Sequence, residues 1–360
     1  MEQIALADTG RTTTRLGFGC SSLMGATNRL NSLAILESAY DAGIRHFDVA
    51  PMYGYGEAEG CLGEFLQRHR GQITVTTKYG IPPAKNSTLI SMSRRIVGPI
   101  VKTLPGLKQR LARAASAVTH SNEKATFTPQ QAKASLERSI TALRTDRIDV
   151  WLLHEVTADD LQDDALLNFL EEQVKKGTIG TFGIGSSFDK IPTLIAEHPA
   201  YCRTLQYEWS VLDPEIDLKA DLKLNSSFRP DPEQAKRVEG VVGKPAILSP
   251  SPFRIQHRAL TNHFRSLHRT LTKDKKLCQR WSASTNTDLS NPANLANLML
   301  KAALTMNPAS IILFSSKNPR HILANATVAT EDTLETPARE FHRLIQTERD
   351  QLPAAEAGAS

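Results

Sequence analysis

Eight short, apolar, β-branched runs recur along this chain, and each is followed by a stretch whose apolar residues have helical spacing. The runs cover residues 16–20, 45–49, 73–78, 148–153, 179–184, 203–208, 244–249 and 310–314. Most of them lack the alternation of a sheet that meets water on one side, so they read as strands buried on both faces. Asn31 or Ser32 can cap a helix that runs to Ala42, with Gly43 at the residue just past its end. A second helix follows over 57–70. Thr128-Pro129 opens a third, with Thr as N-cap and Pro in the first turn, and it runs to Leu143. Asp159 and Asp160 open a fourth that ends at Lys175-Lys176-Gly177, with acids at its start and cations at its end as the helix dipole favours. Further helices are predicted over 188–197, 232–242, 292–306, 319–329 and 337–350.

A strand–helix repeat of this kind predicts an α/β protein built as a (β/α)8 TIM barrel, a single unit over 1–350 followed by a small polar tail over 351–360. The competitor is a doubly wound sheet, which needs a Gly-rich turn after its first strand. Leu16-Gly17-Phe18-Gly19-Cys20 has two of the glycines and lacks the third. Two inserts break the rhythm, at 82–127 after the third strand and at 253–291 after the seventh. Both follow strand C-terminal ends, so both are expected over the face where barrels carry their sites, as lids, as substrate walls or as solvated loops.

The chain's charge is +5 and its sequence is 22% charged and 40% hydrophobic, which fits a globular fold and excludes a disordered one. The basic excess is local. Between Lys85 and Lys124 eight basic side chains face one acid, Glu123, so this stretch carries +7 and the rest of the chain −2. That pattern argues against a nucleic-acid-binding face spread over the fold. No apolar run is long enough for a membrane span, and the first residues do not read as a secretory signal. Four scattered cysteines with no CxxC spacing argue against a metal site or a disulfide framework and point to a reducing, cytoplasmic setting.

Four residues at or just past three consecutive strand ends form a coherent chemical set: Asp48, Tyr53, Lys78 and His154. A free phenol, with a pKa of about 10, donates its proton poorly at neutral pH. A neighbouring ammonium stabilises the phenolate, a carboxylate holds that ammonium charged and in place, and an imidazole orients a carbonyl oxygen. Taken singly, each residue also has a structural reading, as an ion pair, a loop aromatic or a core histidine.

The segment Asp48…Tyr53-Gly54…Gly56…Glu59…Leu62-Gly63 resembles a signature of the aldo-keto reductase family, as does Leu136…Ser139…Leu143…Asp146…Asp149…His154. The resemblance runs from Leu16 to about Asn325. It implies a barrel oxidoreductase that transfers a hydride between nicotinamide and the carbonyl of an aldehyde, ketone or sugar. In that reading Tyr53 is the general acid/base, Lys78 lowers its pKa, Asp48 anchors Lys78 and His154 orients the carbonyl.

The same resemblance implies a cofactor site at Cys20, Ser186, Gln206, Ser249, Ser316, Lys317, Arg320 and Asn325. NADPH is expected ahead of NADH, because Lys317 or Arg320 can meet a 2′-phosphate. The sequence departs from the family in places. Ser186 stands where an asparagine is usual, and Gly185 replaces a serine, as in the family's sugar-dehydrogenase-like relatives. Leu248 occupies the place of an aromatic that stacks on nicotinamide, with Trp209 as a substitute. His321 stands for an arginine and Ala324 for an acid. The partner expected is a small carbonyl or sugar substrate. The alternative is a nucleotide-sensing or interaction protein on the same barrel, similar to potassium-channel β subunits, with the +7 insert as a docking surface.

Overall fold

Strands buried on both faces need a layer on each side, and a ring of strands meets that need by filling its own interior and wearing helices outside. A computed structural model describes residues 1–25, 27–83, 125–214, 251–349 and 352 of the chain. After a small hairpin of β1 (Gln3–Ala5) and β2 (Thr12–Thr14), the barrel strands are β3 (Leu16–Gly19), β4 (His46–Asp48), β5 (Thr74–Tyr79), β6 (Ile148–His154), β7 (Ile179–Gly185), β8 (Thr204–Glu208), β9 (Phe253–His257) and β10 (Ser310–Phe314). They pair in parallel in chain order, and β10 closes on β3. The expected barrel is therefore the observed one.

Around it stand α1 (Arg29–Asp41), α2 (Ala58–His69), α3 (Pro129–Leu143), α4 (Asp164–Lys176), α5 (Ile191–Glu197), α6 (Thr261–Lys273), α7 (Lys275–Thr285), α8 (Pro292–Met306), α9 (Pro319–Thr330) and α10 (Glu335–Thr347). The α3 prediction is matched at both ends, since the Thr128 side chain accepts from the Gln131 N–H and Pro129 is the first helical residue. Two caps move. Asn28, three residues ahead of the expected position, accepts from the Asn31 N–H and starts α1. Asp163 caps α4, because Ala158–Leu161 forms its own short 3-10 turn first. Each such cap contributes about 1 kcal/mol.

The larger correction concerns the seventh strand. Residues 232–250, including the strand expected over 244–249, lie outside the described residues, and the barrel's seventh position is taken by β9. The span 253–291, expected as a loop, instead holds β9, α6 and α7. The β9 residues alternate apolar and polar, which disguised them. The polar ones are satisfied in place: Gln256 donates to the Tyr207 hydroxyl at 3.3 Å and accepts from Ser310 at 3.5 Å. The basic stretch 85–124 lies wholly outside the described residues.

The core is layered as the strands require. Leu6, Val150, Leu152, Ile255, Ile311 and Leu313 fill the interior, and a much larger apolar cluster lies between strands and helices. Leu6 comes from the connection of the N-terminal hairpin, which plugs the bottom of the barrel. Arg11, on the same hairpin, reaches Asp149 at 2.7 Å and the carbonyls of Gly71 and Ile73. The bottom is thereby closed, and the strand C-termini are left as the open end.

Candidate active site at the C-terminal mouth of the barrel

Lys78 enters the interior from β5 and is 2% exposed. Its ammonium donates to Asp48 Oδ1 at 2.6 Å and to the Val49 carbonyl at 3.1 Å, and it stands 5.1 Å from the centre of the Tyr53 ring. Burial alone would strip the ammonium of its proton, but Asp48 and Tyr53 together outweigh that, and the Lys78 pKa rises above its ordinary value. The other Asp48 oxygen accepts from Gln206 Nε2 at 2.6 Å, so the acid is held from two strands.

Tyr53 sits in a short 3-10 turn beyond β4, anchored by its N–H on the Ala50 carbonyl. Gly54 next to it has φ +59, and a Cβ there would stand 2.5 Å from the Leu23 carbonyl. No side chain fits, so the Tyr-Gly pair of the signature is a packing requirement of this turn. The phenol is pushed up by burial and pulled down by Lys78, and burial prevails: the Tyr53 pKa is raised. Lys78 lowers the Tyr53 pKa as expected, and desolvation outweighs it. The lysine limits a rise that desolvation imposes.

His154 closes β6. Burial, Lys78 and His257 hold its pKa at about 3, so the ring is neutral, and its Nδ1 has no partner among the described residues. On the cavity wall, that atom is open to a hydrogen bond from water or a bound molecule.

Asp48, Tyr53, Lys78, His154, Ser186, Gln206 and Asn325 all line one cavity of about 500 Å³ at the barrel mouth. Gln206 has its Nε2 committed to Asp48, which leaves Oε1 as an acceptor. Gly185 keeps that oxygen uncovered, since a Cβ there would lie 3.5 Å from it. Ser186 donates its hydroxyl proton to the Val156 carbonyl at 3.1 Å, so toward the cavity it can only accept. Two acceptors side by side suit an amide NH2 group, and this is the feature by which the residues present fit a nicotinamide carboxamide.

Other expected cofactor residues are placed differently. Cys20 is fully buried, its thiol pushed well up by that burial, and its neighbours Gly19 and Ser21 line the cavity in its stead. Ser249 and Leu248 lie outside the described residues. Trp209 is 3% exposed, donates to the Pro214 carbonyl at 3.2 Å and is not part of the cavity wall. Ser316 is tied into the turn that starts α9, where Asn318 caps, and Lys317 and Arg320 are exposed beside the rim.

The wall also contains residues that the sequence did not single out. His257 ends β9 with Arg258 just past it, Glu208 ends β8, and Glu155 directly follows β6. His257 presents a neutral ring, its pKa lowered to about 3 by burial, Lys78 and Arg258. The available signal was the period-two pattern Phe253, Ile255, His257, which points an imidazole inward above Ile255.

Two signature acids have structural work. Glu59 accepts from Thr77 at 2.7 Å behind Lys78, and Asp149 takes Arg11 and the Val75 N–H at 2.8 Å at the barrel bottom.

A closed parallel barrel with a buried acid–lysine–tyrosine–histidine set at its mouth defines a class of oxidoreductase scaffold, and the comparisons narrow it. The aldo/keto reductase family model matches residues 15–219, and the chain belongs to that family. It is 34% identical over 189 residues to the D-threo-aldose 1-dehydrogenase of a Pseudomonas species, covering 51% of this chain and 53% of that one. It is 44% identical over 82 residues to the pyridoxal 4-dehydrogenase of Microbacterium luteolum, covering 22% and 24%. The chain thus spans between a quarter and about half of the length of these curated relatives. Among solved structures it resembles an aldo-keto reductase of Bacillus halodurans, with TM-score 0.62, 16% identity and coverage of 95% and 96%. An aldo-keto reductase of Klebsiella pneumoniae in complex with NADPH gives TM-score 0.59, 16% identity and coverage of 99% and 98%. These two likenesses speak for the fold. Among the described residues no helix is long and apolar enough to cross a membrane, and no group of metal-binding side chains occurs.

Proposed function

We propose that the protein is a nicotinamide-dependent oxidoreductase that interconverts a carbonyl and an alcohol, with Tyr53 as the proton-transferring group. The observation that carries this reading is the placement of the Lys78 ammonium, held by Asp48 and the Val49 carbonyl and standing 5.1 Å from the ring centre of a tyrosine that lines the cavity.

Tyr53 gives its proton to the carbonyl oxygen in the reductive direction and takes it back in the oxidative one. The Lys78 ammonium stabilises the phenolate left behind, and Asp48 keeps that ammonium from losing its charge to burial. His154, neutral, has one N–H to offer the same carbonyl oxygen, which fixes its position against Tyr53. Gln206 Oε1 and Ser186 Oγ would accept from the carboxamide of the nicotinamide, which when bound supplies or receives the hydride. Asn325, also on the cavity wall, would meet the adenine end. Lys317 and Arg320 stand just outside it, where a 2′-phosphate would favour NADPH over NADH.

Charged side chains, among them Glu155, Glu208 and Arg258, stand on the cavity wall, which suits an aldose or another small hydroxylated carbonyl. The open Gly185 and the likeness to an aldose dehydrogenase over about half the chain support the same substrate class. The test is turnover of NADPH or NADP with a panel of aldehydes, ketones and aldoses, beside Tyr53→Phe. The variant is expected to bind the dinucleotide as the parent does and to lose turnover. Equal turnover would remove Tyr53 from the mechanism.

A further inference from the structure

The cavity needs a cation for a diphosphate, and the set at its floor cannot supply one. Lys78 is buried and held by Asp48 and the Val49 carbonyl, and both His154 and His257 are neutral. Among the described residues that line the cavity, the other cationic side chain is Arg258. It lies directly past the end of β9 and pairs with Glu208 Oε2 at 2.8 Å, the acid at the end of the neighbouring strand β8. Both partners line the cavity and both are substantially exposed, at 60% and 44% of their side chains. An ion pair so open to water is weakly held and is readily exchanged for a stronger anion. A diphosphate is such an anion, because its charge and geometry match the planar guanidinium fork.

The backbone carries a second mark of use. Arg258 has φ +60, the left-handed region that costs a side-chain-bearing residue energy. A glycine would be the cheap choice there, and an arginine is retained. The carbonyl of this same residue accepts from the Thr261 hydroxyl at 3.2 Å, which fixes the loop between β9 and α6 with the guanidinium at the rim. Strain held at a cavity wall is a common companion of binding.

We infer that Arg258 is the cofactor's diphosphate clamp, paired with Glu208 and handed over when the dinucleotide binds. The inference rests on the reading that the cavity takes a nicotinamide dinucleotide, and it goes beyond it by naming the cation and the acid that competes for it. Glu208 acts against binding: it must give up Arg258, and it stands close to an incoming negative charge.

The test is equilibrium binding of NADP to the full chain, read by tryptophan fluorescence or calorimetry, with no turnover required. Arg258→Gln is expected to weaken binding about tenfold or more, the effect of losing a charge-assisted hydrogen bond. It is also expected to flatten the dependence of affinity on salt, since such contacts are screened. Glu208→Gln is expected to tighten binding about two- to fivefold, the worth of an exposed pair. Thermal melting of each variant reports folding, and Glu208→Gln tests the hand-over even where Arg258→Gln folds poorly. Unchanged affinity in a folded Arg258→Gln protein overturns the clamp. Weaker binding in Glu208→Gln overturns the competition, for Glu208 would then be positioning Arg258. Failure of the parent chain to bind NADP or NAD would sink the dinucleotide reading together with this one, whereas binding that ignores Arg258 sinks this one alone.

Discussion

Asp48 and Asp149 are each 4% exposed, sit on barrel strands one apart in the ring, and are each bound to a cation, yet they do opposite things. At the bottom, Arg11 also donates to the carbonyls of Gly71 and Ile73, and the second Asp149 oxygen takes the Val75 N–H. Each of these bonds ends on the protein. At the mouth, Lys78 stands against Tyr53, and Gln206, holding Asp48, keeps an oxygen free beside Gly185. There the chain of hydrogen bonds ends on atoms that face a cavity. Burial and pairing therefore do not separate a catalytic ion pair from a structural one. What separates them is where the network stops.

The largest effect that tests this difference is on the group at which the upper network ends. Tyr53→Phe removes the proton and leaves the ion pair behind it untouched. Turnover is expected to fall by about 10³-fold, within the span of general acid–base catalysis, with the melting temperature nearly unchanged. A variant that melts far lower would show the phenol to be holding the fold.

Next comes the pair itself. Lys78→Met is expected to abolish turnover and also to destabilise, because Asp48 is left buried without its cation. Arg11→Met should cost stability alone. Arg11 is 29% exposed at its side chain, so the loss is discounted for screening to about 2 kcal/mol, measured by urea unfolding. If Arg11→Met cut turnover per folded molecule as deeply as Lys78→Met does, the contrast between the two ends would collapse.

Much of this was legible in sequence, and the reason is geometric. The four mouth residues end three consecutive strands, so any parallel barrel brings them to one rim. Tyr53-Gly54 and the Thr128-Pro129 start are local steric requirements that a reader can see. What stayed hidden depends on neighbours far along the chain. The strand β9 looks like a loop because Arg254 and Gln256 are polar, and only Tyr207 and Ser310 across the ladder make Gln256 acceptable there. With β9 misplaced, His257 and Arg258 could not be seen as wall residues. The direction of the Tyr53 pKa was also hidden, because it is a balance between desolvation and Lys78 that needs a burial depth.

Acid should expose the mouth's cost in stability. His46, His154 and His257 are each held at about 3, whereas the unfolded chain protonates such rings near 6.5. Between these values the unfolded state binds more protons, so stability falls as pH drops below about 6.5, by up to about 1.4 kcal/mol per pH unit for each ring. Glu59 and Asp149 have raised pKa values, so they work the other way and favour the folded state toward acid. The comparison is therefore drawn between parent and His257→Asn, where the carboxyl contributions cancel. The variant's urea midpoint should fall less steeply between pH 7 and pH 5. Parallel slopes would mean that His257 titrates normally and is not buried in the wall.

The smallest effect expected is also the one in which stability and binding move in opposite directions. Arg258 is held at φ +60 without being glycine, a strain of about 1 kcal/mol. Its ion pair with Glu208 is too exposed to repay that in the empty protein. Arg258→Gly should therefore raise the melting temperature slightly, because the relief outweighs the weak pair, while dinucleotide affinity falls. Arg11→Met, by contrast, should only lose stability, since it removes a paired cation and relieves no backbone strain of its own. A melting temperature that drops in Arg258→Gly would mean the strand-end arginine supports the fold in its own right, and the mouth would then resemble the bottom more than its open valences suggest.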